Sequence, residues 1–284
     1  MKNPIIMHIN YCEQGQTLER IFKVATSIGY DGVEFRRFKD IYGLDQKAYL
    51  ETIAELKDAF NLPLTFFGGP ELDTVTEKAE ESLEGYLKFL EIADGLHLLS
   101  TINMMTAKSV APGIPADLYH CDDHGYAVKD DIVWERTVET CRKIADLYPH
   151  VHFAFETHMF YVHDTAKSAR YLVDAIDREN FGINLDYGNA LFYKHTEPLE
   201  QAIDIAGNKL FYTHFKSYQP IGKEAGDLLP TSLADGCVNH RRYVAKLKEI
   251  GFEGPIGIEA PRPGDREHFA KEDFEYIAPI IREC

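Results

Sequence analysis

The sequence lacks the paired cysteines of a disulfide framework or a thiolate metal site. Its five cysteines, Cys12, Cys121, Cys141, Cys237 and Cys284, are odd in number, widely spaced and form no C-x-x-C pair. That usage fits a reducing cytoplasm. No run of about 18 apolar residues is present, as a membrane-spanning helix requires. The opening Met1-Lys-Asn-Pro-Ile-Ile has no apolar core of a signal peptide. A cytoplasmic protein without a membrane partner is expected. Basic stripes are also missing, and the formal charge of −16 repels a phosphate backbone, which argues against a nucleic-acid partner. G-x-G-x-x-G is absent after the first apolar run, so a dinucleotide-binding doubly wound sheet is disfavoured. Low-complexity segments, long tandem repeats and Pro/Gly/Ser linkers are absent as well.

What is present is 45% apolar content over 284 residues, enough for a large core. Eight short apolar runs alternate with segments of helical period, the pattern of βα units around a parallel sheet. The runs are Ile5 to Asn10, Gly32 to Phe35, Leu64 to Phe67, Leu96 to Ile102, His152 to Glu156, Phe181 to Asp186, Phe211 to Phe215 and Ile256 to Glu259. Leu18, Ile21, Phe22, Ala25 and Ile28 mark a first helix, with Thr17 as N-cap and Gly29 as its stop. A fourth helix is expected from about Asp131 to Tyr148. Eight such units without a linker predict an α/β fold, a (β/α)8 TIM barrel in one domain spanning residues 1–284. Two connections are long: 103–130, carrying His120 and His124, and 216–239, rich in glycine. Both follow strands, so they are expected as lids or substrate walls on the C-terminal face.

Four runs end on a carboxylate or an imidazole: His152-Phe-Ala-Phe-Glu156, Gly182-Ile-Asn-Leu-Asp186, Phe211-Tyr-Thr-His214 and Pro255-Ile-Gly-Ile-Glu259. In a closed parallel barrel these ends are neighbours at one mouth. Three carboxylates a few Å apart do not all stay ionised unaided, and a divalent cation resolves the conflict. Oxygen and imidazole donors suit Mn2+, Mg2+, Co2+ or Zn2+, with Mn2+ the first choice. Each residue taken alone also reads as a solvated or salt-bridged strand end. The set of four on consecutive strands is harder to dismiss. The intervals 156 to 186 and 186 to 214 are each about one βα unit, and 214 to 259 adds the long seventh loop.

From Gly29-Tyr-Asp-Gly-Val-Glu34 to Gly257-Ile-Glu259 the chain resembles the xylose isomerase-like barrel superfamily of sugar isomerases and epimerases, including the D-tagatose 3-epimerase group. The resemblance implies that Glu156, Asp186, His214 and Glu259 hold the ion, with Glu156 and Glu259 as catalytic acid and base. It implies a divalent-metal-dependent isomerase or epimerase acting on a ketose, keto-sugar or sugar derivative, and homo-oligomers are common among relatives. The chemistry is coherent: removing a proton beside a carbonyl builds charge on oxygen, a cation stabilises the enediolate, and two carboxylates on opposite faces invert the centre.

Further positions match the superfamily as substrate contacts. His158 completes Glu-x-His, Lys216 completes His-x-Lys on the same strand face as His214, and Glu34 matches as well. Arg36 is a candidate substrate contact on other grounds: with Lys216 and Arg262 it suits an anion, although no Gly-rich phosphate loop is present and a neutral substrate is favoured. For Glu34 a buried pair with Arg36 or Lys216 is the competing reading, and for His158 a strand cap. Asn189 stands where many relatives have histidine, as either a substrate contact or a turn residue. No arginine follows His214 as it does in ketose 3-epimerases, so the sugar is expected to differ. His8 is read as a core histidine. The same shell also occurs in metal-dependent lyases and dehydratases, the main alternative. An endonuclease IV-type nuclease needs further histidines that strands three and four do not supply, and a binding-only barrel leaves the clustered carboxylates unexplained.

Overall fold

A computed structural model describes residues 2–106, 125–127, 129–193, 195–223, 227–260 and 262–283. Eight parallel strands close into a barrel: β1 (Ile5–His8), β2 (Gly32–Arg36), β3 (Leu64–Gly68), β4 (Thr101–Met104), β5 (His152–Glu156), β6 (Phe181–Asp186), β7 (Leu210–Phe215) and β10 (Ile256–Ile258), the last pairing with β1. Helices α1 (Leu18–Ile28), α2 (Gln46–Ala59), α3 (Ala79–Gly95), α4 (Asp131–Leu147), α5 (Ala166–Ile176), the short α6 (Tyr187–Ala190), α7 (Leu199–Ala206), α8 (His240–Glu249) and α9 (Arg266–Glu283) connect them. The expected (β/α)8 barrel is the observed fold. The helix starts follow sequence chemistry. Thr17 Oγ1 accepts from the Arg20 amide at the head of α1, and Gly29 closes that helix at φ 106°.

Three details depart from the expected runs. The first strand ends at His8 rather than Asn10, because Ile9–Cys12 turn into a short 3-10 helix capped by His8, whose Nδ1 accepts from the Asn10 amide. The fourth strand begins at Thr101 rather than Leu96, because Leu96 caps α3 and Leu98 packs into the core within the turn that follows. The seventh connection is not simply a loop. It contains an antiparallel hairpin of β8 (Ser217–Pro220) and β9 (Leu228–Thr231), outside the barrel. The fourth connection, with His120 and His124, falls outside the described residues.

Alternation along each strand divides the barrel into two environments. Outward residues such as Met7, Val33, Phe35, Phe67, Ile102, Phe153, Phe155, Ile183 and Phe215 join the helices in the main core. Each such side chain contributes about 1.5–3 kcal/mol relative to exposure. Inward, Ile6, Phe66, Ala154 and Tyr212 form a small apolar floor, with the Phe66 and Tyr212 rings stacked 5.2 Å apart. Two residues further along, His8, Glu156 and His214 are polar, while Gly68 leaves room for Glu34 from the neighbouring strand. These polar groups form the site.

Candidate metal centre

Strand register brings the four strand-end residues together. Asp186 pairs with His214 between β6 and β7, Glu156 pairs with Asn184, and Gly257, two residues before Glu259, pairs with His214. One donor atom each from Glu156, Asp186, His214 and Glu259 lies within 4.8 Å of the others. His214 Nδ1 is 3.0 Å from Glu259 Oε2, 3.8 Å from Asp186 Oδ2 and 3.9 Å from Glu156 Oε1. Asp186 Oδ2, His214 Nδ1 and Glu259 Oε2 are buried without an aligned hydrogen-bond partner. Such atoms cost free energy unless something satisfies them.

Charge points the same way. Burial and the Glu156 and Glu259 charges push the Asp186 carboxyl up, against Lys216 beside it. Burial favours a neutral His214 and a neutral Lys216, yet the surrounding carboxylates raise both above their ordinary values. Burial also disfavours the Glu259 carboxylate, but His8, Lys216 and His214 hold its pKa well below the usual range. The cage therefore draws positive charge from His214 and Lys216, whereas burial keeps the neighbouring His8 on the neutral side. Oxygen and imidazole donors, three of them without an aligned hydrogen bond and crowded by like charge, fit a hard divalent cation.

A family model described as xylose isomerase-like TIM barrel matches residues 22–280. The chain belongs to that family. Solved structures of similar shape include a D-allulose 3-epimerase from Methylomonas sp., at 17% identity and a TM-score of 0.72 over 98% of both chains. A xylose isomerase-like TIM barrel protein from Mycobacterium smegmatis in complex with magnesium gives 16% identity and a TM-score of 0.74 over 99% of this chain and 97% of that one. The probable 3-DHS dehydratase involved in petrobactin synthesis from Bacillus anthracis gives 17% and 0.73 over 97% and 98%. At these identities the likeness is one of fold. No curated protein sequence matches the chain, and no helix among the described residues is long and apolar enough to cross a membrane.

Within this family barrel the remaining expected site residues sit as follows. Lys216 is buried, with Nζ 2.7 Å from Asp186 Oδ2, 3.3 Å from Glu259 Oε2 and 3.3 Å from Asn189 Oδ1. Asn189, on α6, donates to Glu156 Oε1 at 3.2 Å and to the Thr157 carbonyl at 3.0 Å. Both of its side-chain polar atoms are engaged by protein. Arg36 is half-buried at the mouth, bonded to Asn10 Oδ1 at 2.7 Å and Glu13 Oε1 at 3.2 Å. His158 Nδ1 lies 2.8 Å from the Met159 carbonyl oxygen and its ring meets Tyr161 edge-on. Glu34 has no solvent exposure. It lies beneath His214, accepting from His214 Nε2 and Tyr212 Oη at 2.8 Å each and from Asn103 Nδ2 at 2.9 Å. Burial pushes its carboxyl up, but His214, His8 and the Asn103 bond outweigh that and hold it down to about 2. The carboxylate thus faces imidazole rings, not Arg36 or Lys216.

Sequence reasoning missed four polar groups around the cage, one of them the hydroxyl that Tyr212 raises from the floor. Asn103 donates to Glu156 Oε2 at 2.7 Å as well as to Glu34, Asn184 donates to Asn103 Oδ1 at 3.0 Å, Asn10 donates to Glu259 Oε1 at 2.8 Å, and Tyr212 bonds Glu34. The available signal was parity: Asn184 and Tyr212 stand two residues before Asp186 and His214 on the same inward face. His8 lies in this layer too, 3.7 Å from Glu34 Oε1 and edge-on to His214, buried as expected of a core histidine.

Proposed function

We propose that this protein is a divalent-metal-dependent isomerase or epimerase acting on a ketose, keto-sugar or sugar derivative, with Mn2+ as the ion. The observation that carries the reading is the convergence of Glu156, Asp186, His214 and Glu259 with three buried donor atoms left without an aligned hydrogen-bond partner. The cation, when bound, polarises the substrate carbonyl and makes the neighbouring C–H bond acidic.

The chain's own residues supply proton transfer and orientation. Around the barrel β5 and β10 flank β6 and β7, so Glu156 and Glu259 stand on opposite sides of the cage with Asp186 and His214 between them. One glutamate removes a proton from one face of the substrate, and the other returns a proton to the opposite face. Asn189 and Asn103 hold the two Glu156 oxygens, while Asn10 holds Glu259 Oε1 and leaves Oε2 turned inward. Lys216 and Arg36, charged and beside the cage, bind substrate oxygens. His158 and Asn189 complete the wall from the β5 and β6 ends. The reading takes residues 1–284 as one catalytic domain in a reducing cytoplasm, where Cys12, Cys141 and Cys237 remain free thiols.

Incubating the manganese-loaded protein with a panel of keto-sugars in D2O, followed by NMR, tests it. The expected product is an epimer or isomer of unchanged composition carrying deuterium at the inverted or reprotonated carbon. A product that has lost water or another group would assign a lyase instead, and inertness towards every keto-sugar would remove the reading.

A further inference from the structure

We propose that Glu34 is the positioning residue of the metal centre: its carboxylate sets which ring nitrogen of His214 faces the three acids and, through Asn103, holds Glu156 in place. The inference rests on the metal reading above and gives a different role to a residue that the family resemblance put against substrate.

Glu34 is fully enclosed, so no substrate hydroxyl reaches it in this arrangement. Its Oε2 accepts from His214 Nε2 at 2.8 Å. A carboxylate has no proton to give, so the nitrogen facing it carries the hydrogen. Nδ1 is then the nitrogen turned towards Glu259, Asp186 and Glu156. A hydrogen bond of this kind both fixes the ring and strengthens it as a donor to a cation. The second arm runs through Asn103, whose Nδ2 donates to Glu34 Oε1 at 2.9 Å and to Glu156 Oε2 at 2.7 Å. Asn103 Oδ1 accepts from Asn184, so the amide cannot turn over without setting two donors against each other. One buried carboxylate thereby orients two of the four ligands. The backbone reserves its place: a Cβ at Gly68 would lie 2.6 Å from Glu34 Oε1.

The substitution Glu34→Gln keeps the volume but adds an NH2 group, which meets either the Asn103 amide or the His214 and Tyr212 donors. Isothermal titration with Mn2+ is expected to show a dissociation constant raised 10- to 100-fold in folded E34Q. A purely structural role would lower the melting temperature and leave that constant unchanged, which overturns the proposal. Should E34Q not fold, wild-type protein carrying 15N-labelled histidine and loaded with Zn2+ decides by NMR. The proposal expects the proton on His214 Nε2 and the ion on Nδ1, and the reverse pattern overturns it. Wild-type protein that binds neither Mn2+ nor Zn2+ overturns the metal reading itself and this inference with it. That failure is distinct from E34Q binding as tightly as wild type.

Discussion

Lys216 Nζ lies 2.7 Å from Asp186 Oδ2, so a buried ammonium stands inside the same cage of acids that is suited to a divalent cation. In the metal-free protein this ammonium offsets part of the carboxylate charge. Lys216→Met leaves Asp186 and Glu259 less compensated, and breaking a buried pair costs about 3–5 kcal/mol. The metal-free variant is expected to melt well below wild type, with Mn2+ restoring much of the difference. Equal melting temperatures in excess chelator would show that the ammonium has no such role.

The two glutamates make a sharper kinetic prediction. Glu156→Gln and Glu259→Gln each retain the fold but lose general acid or base catalysis, a term of about 10^2–10^4 in rate. Circular dichroism and single-turnover assays check the two halves separately. Wild-type turnover in either variant contradicts the acid/base assignment.

Space below the cage is as specific as charge. A Cβ at Gly257 would collide with the Tyr212 hydroxyl oxygen and lie 2.7 Å from His214 Cδ2. Gly257→Ala therefore displaces Tyr212 and, with it, His214, at a cost of about 1–3 kcal/mol for overpacking, and weakens Mn2+ binding. Denaturant melts and metal titration on this one variant read both effects. Unchanged Mn2+ affinity would mean that the cage tolerates a shifted imidazole.

Acid stability has a source away from the cage. Burial holds the His240 imidazole down to about 4, against its bond to the Leu233 carbonyl oxygen. Above the ordinary histidine range both folded and unfolded forms are neutral, and the group adds no pH dependence. As pH falls from about 6.5 towards 4, the unfolded chain takes up the proton first, and stability drops by about 1.4 kcal/mol per unit. Urea unfolding at successive pH values is expected to show a shallower decline in His240→Gln than in wild type. Parallel declines would place the acid sensitivity elsewhere.

Much of the fold was legible because buried parallel strands read as short apolar runs, and the runs ending in Glu156, Asp186, His214 and Glu259 gave four polar ends to compare. The errors have physical causes. Leu96, Leu98 and Leu99 are as apolar as a strand but form a helix cap and turn, and the β8–β9 hairpin carries Pro220 and Pro230, which demote a strand reading. The polar supports were harder to see. Asn103 and Tyr212 are neutral groups inside strands, and only the closed barrel shows that they meet Glu34 from β4 and β7. Glu34 itself was visible, but its partner His214 lies 180 residues away.

The most direct test of the metal centre is Mn2+ titration of chelator-treated protein, followed by calorimetry and elemental analysis. One ion per chain is expected for wild type, with binding lost in the double variant Asp186→Asn, His214→Ala. A wild-type chain that takes up no ion at millimolar Mn2+, or a double variant that binds as tightly as wild type, would contradict the account.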